Sequence, residues 1–148
     1  TGTVTFSSIP GGYRHLRIVA YGRTTGGNDY IYLRVNGDTG SNYDEVRLLN
    51  ATGASSLGQT RARIGIFPGS DSESGNAGGW ELVIPHYANT TFKKTGTSTG
   101  GGEKTDSNAY QRIHTFWWRS TAAISSLEFK VDGMNFEAGT IFSLYGMN

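Results

Sequence analysis

The sequence predicts an all-β protein, an antiparallel two-sheet β-sandwich of jelly-roll-like or other Greek-key type with about ten short strands, and a closed barrel as the alternative. Three observations carry this. Apolar residues recur at period two, and no amphipathic helix emerges. The alternating segments are separated by turn residues, with no βαβ rhythm. The 22 glycines, accompanied by three prolines and abundant Ser and Thr, punctuate the apolar segments instead of pooling into a linker.

In chain order, period two places strands near 3–9, 14–24, 29–36, 44–50, 60–67, 80–88, 91–97, 110–119, 124–132 and 139–146. The second and third alternate most clearly. With Gly26-Gly27 as a two-residue turn, Ile18 falls opposite Val35 and Ala20 opposite Leu33 on an apolar face. The other face then carries Arg17, Val19, Tyr21 and Arg23 against Asn36, Arg34, Tyr32 and Tyr30. That mixture of Arg and Tyr suits a protein or glycan contact, so Arg17, Tyr21, Arg23, Tyr30, Tyr32 and Arg34 are the candidate interface for self-association. Between the strands, 68–79 and 96–107 are long, Gly- and Ser-rich and polar, and read as exposed mobile loops at the ends of the sandwich.

In the segment 110–119, Tyr110, Arg112, His114, Phe116 and Trp118 share one parity and Ile113 and Trp117 the other. A strand cannot bury Phe116 and Trp117 on the same face, so at least one large ring faces away from the main core. Trp117 and Trp118 are the candidate ligand contacts, where an aromatic face meets sugar C–H groups; packing beneath a long loop is the alternative. In the last two segments Leu127, Phe129, Val131, Phe142 and Leu144 point inward against Ser126, Glu128, Lys130 and Ser143.

At 148 residues the chain, 1–148, suits a single β-sandwich domain that needs no staples. Without cysteine, neither disulfides nor thiolate metal sites are available. A net charge of +1, with Lys and Arg spread along the chain and matched by acids, argues against nucleic acid as a partner. No leader and no long apolar run is visible, so membrane insertion is not expected. Asp38, Asn42 and Asp44 concentrate oxygens that a hard cation takes, but the spacing is not that of an EF-hand, and the same residues make strand-ending turns. The stretch 132–137 has a similar composition. Catalysis has little to stand on: His15, His86 and His114 lie at no motif spacing, and nothing brings Glu73, Glu81, Glu103 or Asp106 together in pairs. No catalytic residue and no cofactor is expected.

Several phrases, in order along almost the whole chain, resemble a domain that recurs in virion structural proteins of tailed bacteriophages, including tail-fibre proteins of marine phages. They are Val4-Thr5-Phe6-Ser7-Ser8-Ile9-Pro10 with Tyr13-Arg14-His15-Leu16-Arg17-Ile18, then Tyr32-Leu33-Arg34-Val35-Asn36-Gly37-Asp38-Thr39-Gly40-Ser41-Asn42-Tyr43. Ile84-Pro85-His86-Tyr87-Ala88-Asn89-Thr90 is similar to that domain's D-Y-A-N-T phrase, with His86 in place of the usual acid. Ala122-Ala123-Ile124-Ser125-Ser126-Leu127 and the close from Asn135 to Gly146 follow, the latter resembling F-x-x-G-(S/T)-x-x-x-L-Y-G. The resemblance implies a β-sandwich building block on the virion surface, an extracellular particle, that assembles as a homotrimer with other virion proteins and carries no catalytic residues. Thr1 is then expected to be a fragment edge with further sequence upstream. The functions in view are a tail-fibre or similar adhesion domain contacting a host-surface glycan, a capsid decoration (cement) protein, and a carbohydrate-binding module.

Overall fold

The computed structural model describes residues 1–50, 52–105 and 108–148. Its strands are β1 (Thr3–Phe6), β2 (His15–Gly22), β3 (Asp29–Val35), β4 (Tyr43–Leu49), β5 (Thr52–Gln59), β6 (Ala62–Phe67), β7 (Gly78–Pro85), β8 (Lys94–Thr105), β9 (Asn108–Trp118), β10 (Leu127–Lys130) and β11 (Ile141–Met147). Among the described residues there is no helix. Every pairing is antiparallel, in a four-stranded sheet β1-β10-β3-β6 and a seven-stranded sheet β11-β2-β7-β8-β9-β4-β5. Setting aside β11 and the β8–β9 hairpin leaves β1-β10-β3-β6 facing β2-β7-β4-β5, with the chain crossing between sheets at most connections. This is the jelly-roll order.

The core is where the sequence pattern puts it. Leu16, Ile18 and Ala20 of β2, Ile31, Leu33 and Val35 of β3, and Leu127, Phe129 and Val131 around β10 are all buried in one cluster. Five rings bind the sheets together: Phe67, Trp80, Phe129, Phe136 and Phe142 contact one another at centroid distances of 4.9 to 6.3 Å. Phe67 and Phe129 come from the small sheet, Trp80 and Phe142 from the large one. Such edge and tilted pairs each add about 1 kcal/mol beyond the area they bury.

Two expectations are corrected. First, β2 and β3 do not pair across Gly26-Gly27: β2 lies between β11 and β7, whereas β3 lies between β10 and β6 in the opposite sheet. Their apolar faces meet from opposite sides of the core instead of lying side by side. The connection 23–28 is held by the 68–79 segment. Arg23 donates to the carbonyls of Gly69, Glu73 and Asn76 at 2.9, 3.0 and 2.9 Å. The Thr24 N–H reaches the Pro68 carbonyl at 3.0 Å, and Ser70 N–H donates to the Gly26 carbonyl. Gly69 lies so close to Gly26 and Gly27 that any Cβ there would collide with their backbone. The expected loop 68–79 is therefore an anchored clamp with Pro68, Gly69 and Ser72 buried.

Second, most of 96–107 is strand. Positions up to Thr105 belong to β8, which pairs with β7 on one side and β9 on the other, while 106 and 107 lie outside the described residues. The small residues that read as loop chemistry are what close packing requires: a Cβ on Gly100 would run into Trp80 and the Gly79 carbonyl. β5 adds a strand absent from the pattern. Its sequence, TGASSLGQ, has no alternation, and it is held by pairing with β4.

Candidate functional site

β7 and β8 pair from Gly79↔Gly101 to Val83↔Thr97 and then part. Between their separated ends lies a groove of about 350 Å³ lined by Pro85, His86, Asn89, Phe92, Lys93, Lys94 and Thr95. Local chemistry builds its rim. His86 takes a left-handed conformation, φ 46°, and its carbonyl accepts the Asn89 N–H at 3.0 Å. The Asn89 Oδ1 then accepts the N–H groups of Thr91 and Phe92 at 2.8 and 3.4 Å, an Asx turn. This turn leaves Phe92 75% exposed. Below it, Tyr87 is buried with its hydroxyl on the Pro10 carbonyl, and His15 packs edge-on against His86 at 4.9 Å while its Nδ1 accepts the His86 N–H at 3.2 Å. The phrase 84–90 thus shapes this turn. Lys94 is buried, its Nζ donating to the Phe92 and Thr121 carbonyls at 3.0 and 2.9 Å, and burial lowers its pKa. An exposed ring beside an amide, an imidazole and an ammonium is a surface on which a sugar can stack and hydrogen-bond.

The six residues read as one face are dispersed, because β2 and β3 belong to different sheets. Arg17 and Tyr21 stand on the outer side of the large sheet, Arg17 paired with Glu81 and Tyr21 58% exposed beside Ile141. Arg23 is taken up by the 68–79 clamp and pairs with Glu137 at 2.8 Å. Tyr30, Tyr32 and Arg34 stay together on β3. Arg34 is 3.5 Å from Glu128, and the two tyrosine rings are 6.3 Å apart.

Beyond the free edge of β6, strands β4 and β9 bring further arginines to these tyrosines. Arg47 and Arg112 both donate to the Tyr30 hydroxyl oxygen, at 3.3 and 2.9 Å. The guanidinium carbons of Arg47, Arg63 and Arg112 lie 5.6, 5.2 and 5.2 Å from the Tyr30 ring centroid, and that of Arg61 lies 3.6 Å from Tyr32's. A cavity of about 140 Å³ opens beside them, lined by Tyr32, Glu45, Gln59, Thr60, Arg61 and Arg63.

Beneath this cleft, Glu45, His114 and Ser98 are buried polar residues on three adjacent strands. They receive the unpaired edge of β6: Glu45 accepts the Arg63 N–H at 2.7 Å, and Ser98 donates to the Ile64 carbonyl. Glu45 also holds the Arg63 guanidinium at 2.7 Å. Burial, followed by the charges of Arg112, Arg47 and Arg63, pushes the His114 pKa down to about 4, against a smaller opposing effect of the Arg63 backbone.

Trp117 is the ring that faces away from the core, 41% exposed, and it pairs with Thr95 at the edge of the groove. Trp118 is corrected as a ligand candidate: it is buried, and its Nε1–H donates to Asp38 at 2.7 Å. The oxygens of Asp38 also accept from Gly40 N–H and Asn42 Nδ2, and those donors, Trp118 foremost, hold its pKa below the usual range. Asp44 accepts from Arg119 and from Gly58 N–H. The carboxylates of the suggested cation ligands Asp38 and Asp44 thus accept from donors of the chain itself, Asn42 Nδ2 being one of those on Asp38, and among the described residues no group of three or more His, Cys, Asp or Glu is placed to hold a metal ion. Asp106 lies outside the described residues.

Sequence reasoning missed Phe92, which it placed in a strand. The usable signal was Asn89, a turn former three residues earlier. It also missed the arginine cluster, because residues 47, 61, 63 and 112 are joined only by the sheet topology. No protein-family model, curated protein or solved structure matches the chain.

Proposed function

We propose that this chain is a non-enzymatic structural and adhesion domain of a bacteriophage virion, belonging to a tail fibre or similar appendage, that holds a host-surface glycan in the β7–β8 groove. The observation that carries the glycan reading is the groove itself, where Phe92 stands out at 75% exposure beside His86, Asn89 and Lys93. A turn carried by a rigid sandwich is where recognition residues vary freely without disturbing the core. The assignment to a virion rests on the phrases that resemble phage structural proteins. Assembly as a homotrimer is part of the reading, and Tyr21, Ile141 and Tyr145, exposed together on β2 and β11, are its interface candidates. A second reading, capsid cement, is favoured by the apolar row of Val46, Leu48, Ile113 and Trp117 on the outer face of β4 and β9, which suits protein contact.

Titration with oligosaccharides from bacterial lipopolysaccharide and capsules, followed by calorimetry, tests the glycan reading. Saturable binding that weakens at least about tenfold in Phe92→Ala supports it, at a value typical of a lost aromatic contact. Absence of binding across the panel moves the reading to cement. Release of reducing ends from any of these glycans overturns the non-enzymatic assignment.

A further inference from the structure

We infer that the Tyr30 cleft, separate from the β7–β8 groove, binds an oxyanion: a carboxylate, sulfate or phosphate group. Three guanidiniums, from β4, β6 and β9, converge on one phenol ring. The carboxylate they touch is Glu45, 2.7 Å from Arg63 and 3.5 Å from Arg47, and one of its oxygens is already occupied by the Arg63 N–H. Holding the β6 edge accounts for Glu45 and Arg63. It leaves Arg112 unexplained, since its contacts are the Tyr30 oxygen and the rings of Tyr30 and Tyr110.

The donors are also incompletely used. The Nε of Arg63 is buried without a hydrogen-bond acceptor, and the Nε of Arg47, 3.5 Å from Glu45, makes no hydrogen bond to it. Like charges gathered in a partly desolvated cleft repel one another, and a surplus of guanidinium donors over acceptors is relieved by an anion with several oxygens. Guanidinium forks match planar carboxylates and tetrahedral oxyanions better than they match halides. Room for such a group lies on the Tyr32 side of the cluster, in the 140 Å³ cavity walled by Arg61 and Arg63 together with Glu45.

The test uses inorganic sulfate and phosphate at constant ionic strength, read by the Nε–Hε resonances of the arginines. The expected result is a saturable shift of Arg47, Arg63 and Arg112 at or below about 10 mM anion, with Arg17 and Arg119 unmoved. Arg112→Gln should weaken binding by about tenfold or more, and Arg112→Lys less, as expected when a bidentate contact becomes a point charge. Failure of these resonances to saturate, equal shifts across all surface arginines, or equal affinity in Arg112→Gln would each overturn the inference. If Arg112→Gln fails to fold, the wild-type resonances decide alone.

Discussion

His114 is buried and surrounded by cations, so folding holds it neutral. Its pKa falls from the ordinary 6.5 to about 4 in the folded chain, while the unfolded chain keeps the ordinary value. The unfolded state therefore binds more protons between these values. The stability this contributes is complete above about pH 6.5 and is lost as pH falls towards 4, amounting to roughly 3 kcal/mol. Urea midpoints at pH 7.5 and 4.5 should separate widely in the wild type and much less in His114→Gln; equal separations would contradict the environment described. Asp38, Asp44 and Asp132, with lowered pKa values, lose their contribution at lower pH still. Much of this residue scale was legible in the sequence. The parity of 110–118 put Phe116 and Trp117 on opposite faces, because side-chain alternation in a strand is purely local, but which of the two rings faces outward came only with the sheet. That His114 would share its surroundings with Arg47 and Arg63 was not legible, since those residues arrive from strands distant in sequence.

At the scale of elements, the free edge of β6 is the most demanding feature. Its N–H and carbonyl groups point at the inner face of the large sheet, where no ladder partner exists, and Glu45 and Ser98 take that place. Glu45→Gln keeps the shape but removes the charge facing Arg63 and Arg47. It should cost about 3 kcal/mol in denaturant unfolding, the usual penalty for breaking a buried ion pair; a loss well under 1 kcal/mol would show that the carboxylate is not needed. Gly100→Ala tests the tightly packed strand β8. With Trp80 and the Gly79 carbonyl in the way, it should destabilise by about 2 kcal/mol or more, whereas a solvated loop at this position would tolerate it. β8, together with β5, also marks where sequence reading failed. Gly and Ser in 96–107 were read as loop residues because composition does not record that a neighbouring ring leaves no room for a side chain, and 52–59, which has no alternation, was given no strand. The Gly26-Gly27 hairpin failed for a related reason. The local turn chemistry is sound, but the Arg23 clamp and the jelly-roll crossover override it.

For the whole molecule, the sandwich with its two antiparallel sheets was legible, because about ten alternating segments separated by turns admit few other arrangements. The site was not, since a groove formed where two strands part depends on register. Assembly is tested by mass in solution: the wild type should run as a trimer by light scattering, and Tyr21→Ser combined with Ile141→Ser should yield monomers. A wild-type monomer at micromolar concentration, or a trimer unaffected by both changes, would remove β2 and β11 from the interface. The central claim, that this sandwich holds a glycan where β7 and β8 part, is tested most directly by mapping backbone amide shifts during titration with lipopolysaccharide and capsular oligosaccharides. The account predicts saturable shifts concentrated between residues 85 and 95, extending to Trp117 across the Thr95 pair. No saturable shift with any of these glycans, or a footprint centred away from Phe92, would contradict it.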